Sequence, residues 1–338
     1  MSTSAKRQTR RGPSPLVRLA KTLYFVLFGL SLVVVIGFAA LKLFAPEPTV
    51  DDQVTIPPQP AGPSAPPAVT DGPDASAEPT PLVLTRRKGV HTCLLLGVAD
   101  MGGSDTIMLG VFDTNAKTAS LISIPRDTVI LQDGKYRKIN STYAGGPEAV
   151  VSAVHELLGV PVDSYVSVNL KAFSSIVDQI GGVWFDVPVR MDYKDPLQDL
   201  VIDIQPGYQL LDGKKAEGVM RCRNCYPSAD IGRAATQRAF LTALVKQTIT
   251  LSNVANVTSL INTFIQYVDT DMPLSDMVFF ATQAIGMDLD AALTASSLEG
   301  EWISPYWQLD DEAVLALVNS LDIYEEAVPA QALRIVHP

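Results

Sequence analysis

Between residues 92 and 130 the chain alternates short apolar runs with polar turns. Cys93–Leu96 is apolar and stops at Gly97; Thr106–Phe112 and Ser120–Ile124 follow as two further runs. Asp113-Thr114-Asn115 with Lys117 is a turn signal between the last two, so the pattern predicts a hairpin there. The polar residues gather where the runs end: Asp100, Ser104 and Asp105 in the first turn, Pro125-Arg126-Asp127 after the third run. Carboxylates and an arginine at strand ends mark a candidate site on a rigid scaffold, although acidic, glycine-rich loops after strands are also common as plain solvated turns.

Downstream the period changes. Ile139–Gly146 reads as a loop, and Pro147 suits the first turn of a helix, PEAVVSAVHELL, closed by Gly159. Its residues Val150, Val151, Val154, Leu157 and Leu158 recur at helical spacing, with His155 read as an ordinary helix residue. Tyr165–Val168 alternates as a strand. Asn169 caps a helix over Leu170–Ile180, and Val183–Val187 is a further strand. Val201–Ile204 and Gly218–Arg223 read as strands, separated by a Pro206-Gly207 turn and a short helix around Asp212–Ala216. Asp230 is placed to cap a long helix from Ile231 to about Leu251, and residues 252–325 read as helical with breaks at Pro273 and Pro305. Strands interleaved with helices predict an α/β domain of mixed layers, and the hairpins favour a mixed sheet over an all-parallel one.

The N-terminus is different in kind. Residues 1–21 form a basic tail, and Thr22–Leu41 is apolar and uncharged, long enough to span a bilayer as a helix. The expected organisation is a cytoplasmic tail, a single-pass signal anchor over 22–44, a Pro-rich linker over 45–81 and an extracytoplasmic domain over 82–330, ending in a tail over 331–338. Seven of the 26 Lys and Arg residues precede residue 45, leaving 19 against all 36 Asp and Glu. So acidic a domain argues against nucleic acid as a partner. Three cysteines make no disulfide framework, but Cys222 and Cys225 are spaced for a local disulfide in an exported domain, and Cys93 is expected to be buried in its strand.

In a domain so poor in cations, their positions carry information. Read as a strand, Gly218–Arg223 puts Arg221 and Arg223 on one face. Arg233 and Gln237, four apart, share a face at the start of the long helix. Guanidinium forks suit phosphate oxygens. With Asp105 and Asp100 opposite, a Mg²⁺ ion is able to bridge carboxylate and phosphate. The combination favours a diphosphate site over arginines that merely pair with surface carboxylates.

The ordered pieces LLLGVAD, SDTIML, LISIPRDTVI, KINSTYAGG, FSSIVDQIGGVWFDVP, IQPGYQLLDGKKA, RCR and ADIGRAATQ resemble the LytR-CpsA-Psr family of cell-wall proteins over roughly residues 90–250. The resemblance implies a mixed sheet between helical layers, with an apolar tunnel for a lipid tail. It implies an enzyme that moves a glycopolymer from a polyprenyl diphosphate carrier to a wall acceptor, usually peptidoglycan, through a phosphodiester. By that resemblance Asp105 is the metal-binding aspartate of SDT, and Arg126 and Asp127 are the arginine and aspartate of PRD. The mechanism read from this makes Asp105, Arg126 and Asp127 the catalytic residues, with Asp100 helping Asp105 to hold Mg²⁺ and Asp127 a candidate base or a salt-bridge partner of Arg126. Lys138, Arg221, Arg223, Arg233 and Gln237 form the diphosphate-contacting set. The loop before Asp105 is short, with Gly103 standing where an arginine is usual, and Thr236 likewise precedes Gln237. These departures keep two alternatives open: a catalytically degenerate module that binds polyprenyl phosphates, and a polyprenyl-diphosphate pyrophosphatase.

Overall fold

In a computed structural model of the protein, the three apolar runs become neighbouring strands of a six-stranded mixed sheet. The structure describes residues 46–57, 81–98, 103–195, 200–222, 224–226, 230–248, 261–262, 264–285 and 287–338. The basic tail, the apolar stretch over 22–44, Asp100 and Arg223 lie outside the described residues. Among the described residues no helix is long and apolar enough to cross a membrane.

In chain order the first strands are β1 (Gln53–Ile56), β2 (Leu82–Thr85), β3 (Val90–Val98), β4 (Ser104–Asp113), β5 (Thr118–Ile124), β6 (Val129–Gln132) and β7 (Lys135–Lys138). A 3-10 helix over Ile139–Gly145 leads into α1 (Pro147–Leu158), β8 (Ser164–Asn169), α2 (Leu170–Gln179), β9 (Val183–Val187), β10 (Met191–Asp195), β11 (Leu200–Ile204) and β12 (Gly207–Leu211). There follow α3 (Gly213–Arg221), α4 (Asp230–Thr248), β13 (Asp269–Thr270), α5 (Leu274–Ala284), α6 (Leu289–Ala292), β14 (Leu293–Ser297), β15 (Gly300–Ile303), β16 (Tyr306–Leu309) and α7 (Asp311–Ser320). The main sheet runs β13-β8-β3-β4-β5-β14. The pairs β3–β8 and β5–β14 are parallel, and the others antiparallel.

Alternation decides the faces. Leu94 and Leu96 of β3, Ile107 and Leu109 of β4, and Ile122 and Ile124 of β5 share one core with Val150 and Val154 of α1 and Val314 and Val318 of α7. The residues between them point to the opposite face, where His91 and Phe112 meet Phe279 and Phe280 of α5 edge-on. A second core joins α2, the β9–β12 strands, α3 and α4 around the fully buried Phe240. Cys93 sits mid-strand, and desolvation pushes its thiol up to about 12.

Two of the expected helix ends form: Asn169 Oδ1 accepts from Ala172 N at 2.8 Å, and α1 ends at Gly159 in the left-handed conformation (φ 63°). A side chain there would also be crowded, since a Cβ on Gly159 lies 2.6 Å from the Ala332 carbonyl. Asp230 is the first residue of α4 rather than the residue before it. Cys222 and Cys225 are joined as a disulfide.

Four expectations are corrected. The Pro-rich stretch over 45–81 is not a single linker: β1 pairs with β2, and its Val54 and Ile56 enter the main core. Apolar alternation in QVTI outweighs the composition around it. Of the expected strand Gly218–Arg223, the described residues Gly218–Cys222 form no strand. Asp212 caps α3 by accepting from Lys215 N at 2.8 Å, and Ala216 and Val219 are buried at helical spacing. Residues 252–325 are not uniformly helical. The TASS and GEWISPYWQL segments add β14 to the sheet edge and fold β15 and β16 into a hairpin around Pro305. Residues 331–338 are not a free tail: Leu333 is buried, Arg334 N donates to Leu157 O at 3.0 Å, and its guanidinium pairs with Glu156.

One buried cation ties the sheet together. Arg86, 3% exposed, donates to the Val90 carbonyl through Nε at 3.0 Å and Nη2 at 2.7 Å and forms a bidentate pair with Asp163. Asp163 also accepts from Thr92 N at 2.7 Å, so one carboxylate holds the end of β2, β3 and the approach to β8. Replacing Arg86 by Leu strands the Asp163 charge. The expected loss is about 3 kcal/mol of unfolding free energy in urea titration. A loss below about 1 kcal/mol would mean that solvent screens the pair as it does surface ion pairs.

Candidate active site

The site begins with a defect in the sheet. Gly97 pairs with Thr106 and Val98 with Ser104, so Asp105 is left over as the extra residue of a β-bulge. A bulge re-aims the side chain it carries. Asp105 thereby faces a pocket at the end of the sheet instead of lying in the ladder, with its carboxylate 39% exposed. Opposite Thr106 only glycine fits, because a Cβ on Gly97 would stand 2.9 Å from the Thr106 Cβ.

The second component is the turn after β5. Pro125 follows the last strand residue, and Thr128 N closes the turn on the Pro125 carbonyl at 2.9 Å. Neighbouring backbone grips the turn on both sides: Asn140 N donates to Arg126 O at 3.1 Å, and Trp307 N to Asp127 O at 2.8 Å. Arg126 Nη1 donates to Asp105 Oδ1. Asp127, 6% exposed, faces Lys138 Nζ at 3.0 Å and Arg126 Nε at 3.7 Å. Lys138 Nζ in turn lies 5.7 Å from the centre of the Trp302 ring. The four charges form a chain, Asp105–Arg126–Asp127–Lys138.

The third component is the start of α4. Arg233 and Gln237 are 7% and 4% exposed. Gln237 Nε2 donates to the Met220 carbonyl at the end of α3 at 2.9 Å, and its Oε1 accepts from Thr106 Oγ1 at 3.2 Å. One amide thus fixes α4 against α3 and the bulged strand. Arg238, next along the helix, lies half-buried, and desolvation lowers its guanidinium from its ordinary value.

These parts surround a pocket of about 960 Å³. Asp105, Arg126, Asp127, Arg233 and Gln237 all line it. Lys138 reaches it through Asp127. Arg221 does not line it: it sits on α3 with Nη1 2.9 Å from Glu217 Oε1, one turn back in the same helix. Arg221 thus lies on a helix and not on the expected strand face, and Arg223 lies outside the described residues. Sequence reasoning missed Arg238, although it adjoins Gln237, and missed the wall formed by β14–β16 with its carboxylates and tryptophans. The aromatic alternation in GEWISPYWQL was the available signal for that wall.

A Mg²⁺ ion typically takes one or two protein carboxylates plus phosphate oxygens and water. Asp105 offers one carboxylate at the pocket and fits that limited role. Among the described residues, no three His, Cys, Asp or Glu side chains converge as a metal cage.

A model of the LytR_cpsA_psr family matches residues 71–322, well over half of the sequence. The chain belongs to the LytR_cpsA_psr family. Among its relatives, the polyisoprenyl-teichoic acid–peptidoglycan teichoic acid transferase TagV of Bacillus subtilis (strain 168) is 27% identical over 263 residues, covering 74% of this chain and 64% of TagV. The chain therefore spans less than two thirds of that relative's length. The crystal structure of B. subtilis TagV superposes with a TM-score of 0.63 at 25% identity, over 72% of this chain and 100% of that one. TagT bound to LIIa-WTA superposes with a TM-score of 0.57 at 25% identity, over 70% and 91%.

In this LytR_cpsA_psr member the SDT, PRD and GRAATQ segments are distant in sequence, yet the fold brings them to one pocket. The bulge makes that possible and depends on Gly97. Gly97→Ala pushes on Thr106 and so on Gln237. Overpacking of this kind is expected to cost about 2 kcal/mol in urea unfolding. A neutral result would show that the strands separate freely at this point.

Proposed function

We propose that the chain is a membrane-anchored, extracytoplasmic phosphotransferase that moves a glycopolymer from a polyprenyl diphosphate carrier to a wall acceptor such as peptidoglycan. The observation that carries this reading is the convergence of Asp105, Arg126 and Arg233 on one pocket. The names of the family relatives support the substrate class, and Thr22–Leu41 supports the anchor.

In the proposed reaction an acceptor sugar hydroxyl attacks the phosphorus that carries the glycan. A new O–P bond forms, and the P–O bond to polyprenyl phosphate breaks. The bonding electrons leave with polyprenyl monophosphate, and the hydroxyl proton passes to solvent. Such a transfer depends on positioning and charge stabilisation more than on covalent catalysis. Arg126 is the principal group, its backbone fixed by the turn and its guanidinium at the pocket wall. Arg233 and Arg238 add charge along the start of α4.

The remaining residues position these. Asp127 is buried between Arg126 and Lys138, an arrangement suited to orienting Arg126 rather than to taking a proton. Gln237 uses both ends of its amide on the protein and acts as a brace. Asp105 would hold Mg²⁺, which neutralises diphosphate charge when bound. The existing Arg126–Asp105 pair supports one second reading, a module that holds polyprenyl diphosphate with its arginine shut away from chemistry.

The test uses the full chain in detergent with a polyprenyl-diphosphate-linked glycan and a peptidoglycan fragment. Arg126→Ala is expected to lower transfer by about 100-fold or more. EDTA is expected to abolish transfer and added Mg²⁺ to restore it. Unchanged turnover in Arg126→Ala would overturn the mechanism, and indifference to EDTA would remove the metal from it. No turnover in the wild-type chain would leave the binding module. Release of lipid phosphate without consumption of acceptor would indicate a pyrophosphatase.

A further inference from the structure

The pocket has two unlike walls. Arg126, Arg233 and Arg238 line one part, and the segment from β14 through the β15–β16 hairpin to α7 lines the other. That second wall carries Glu299, Glu301 and Asp311 together with Trp302 and Trp307. Building on the transferase reading, we propose that the hairpin wall is the acceptor subsite and that it takes an uncharged pyranose chain stacked on Trp302.

Three observations carry the assignment. Trp302 is 55% exposed at the pocket, an unusual place for so large an apolar surface unless something covers it. Trp302 and Trp307 are cross-strand partners, so both indoles project from the same side of the ribbon. Lys138 Nζ stands 5.7 Å from the Trp302 ring centre, which helps to hold the ring in place.

The chemistry of the wall selects the ligand. An aromatic face is electron-rich, and the axial C–H face of a pyranose is weakly positive, so the two stack. Carboxylates accept hydrogen bonds from sugar hydroxyls. The same carboxylates repel phosphate, which sends the donor diphosphate toward the arginines. One cavity thereby offers the diphosphate of the donor and the neutral sugar face of the acceptor different walls, while leaving the acceptor hydroxyl next to the phosphorus. The Trp307 backbone, through its bond to Asp127 O at 2.8 Å, ties the hairpin to the turn that carries Arg126, so the two halves are held in register.

Calorimetric titration of the full chain with β-1,4-linked N-acetylglucosamine tetrasaccharide tests this, without donor lipid and in a detergent that contains no sugar. Binding is expected, weakened about tenfold by Trp302→Ala and largely retained in Trp302→Phe. Trp184 is also exposed, but it stacks on Tyr208 at 5.4 Å and does not line the pocket. Trp184→Ala is therefore expected to bind as the wild type does. No binding, equal binding by wild type and Trp302→Ala, or equal weakening by Trp184→Ala would each overturn the proposal. The outcome is separable from the transferase reading. A chain that binds the tetrasaccharide through Trp302 but never consumes donor keeps the subsite and loses the transferase. A chain that consumes donor without binding the tetrasaccharide does the reverse.

Discussion

Asp105 has no partner in the β4 ladder, and the geometry of the pocket follows from that. The bulge between Gly97–Val98 and Ser104–Thr106 points its carboxylate at the turn after β5, where Arg126 meets it. The turn has little freedom to move, because the 3-10 helix and β16 both bond to its backbone. Gln237 then locks the start of α4 to Thr106, one residue beyond the bulge. The turn that follows β5 and the start of α4, more than a hundred residues further along the chain, are thus both referred to a single irregularity in one strand.

Magnitudes distinguish the two ion pairs at this point. Asp105 is 39% exposed and Arg126 26%, so solvent screens their attraction to about 1 kcal/mol or less. A charge-assisted hydrogen bond to an incoming phosphate contributes roughly 1.5–3 kcal/mol. Exchange of Asp105 for phosphate at Arg126 is therefore favourable, and the closed pair resembles a resting arrangement. Asp127 is far less exposed, at 9% of its side chain, and removing either of its partners leaves a buried charge. The same turn thus contains one interchangeable contact and one fixed one, which suits the substrate-binding role proposed for Arg126.

Much of this was legible in the sequence, and the failures have physical causes. The β4–β5 hairpin, α1 with its Pro147 start and Gly159 stop, and the Asn169 cap follow from local chemistry, which a sequence displays directly. So do Asp105, Arg126, Arg233 and Gln237 as pocket residues, since strand ends and helix starts carry them. The short run GVMRC was ambiguous, because a few apolar residues fit either period; the Asp212 cap upstream settles it as the end of α3. β1 was hidden by proline-rich neighbours, and its partner β2 lies beyond residues 58–80. Arg221 was placed by the strand it was thought to occupy, so its role fell with that strand. The β15–β16 wall was missed because its importance is wholly tertiary: the pairing of β14 with β5 and the bond from Trp307 N to Asp127 O bring it to Arg126.

The identity of the bond formed on the acceptor tests the proposed transfer most directly. The full chain would be purified from membranes and extracted for polyprenyl diphosphate-linked glycan. It would then be incubated with Mg²⁺ and peptidoglycan, and the product read by mass spectrometry. The expected product is a glycan joined to the acceptor through one phosphodiester, with polyprenyl monophosphate released in equal amount. A released glycan phosphate with no acceptor adduct, or an untouched lipid, would contradict the proposed transfer.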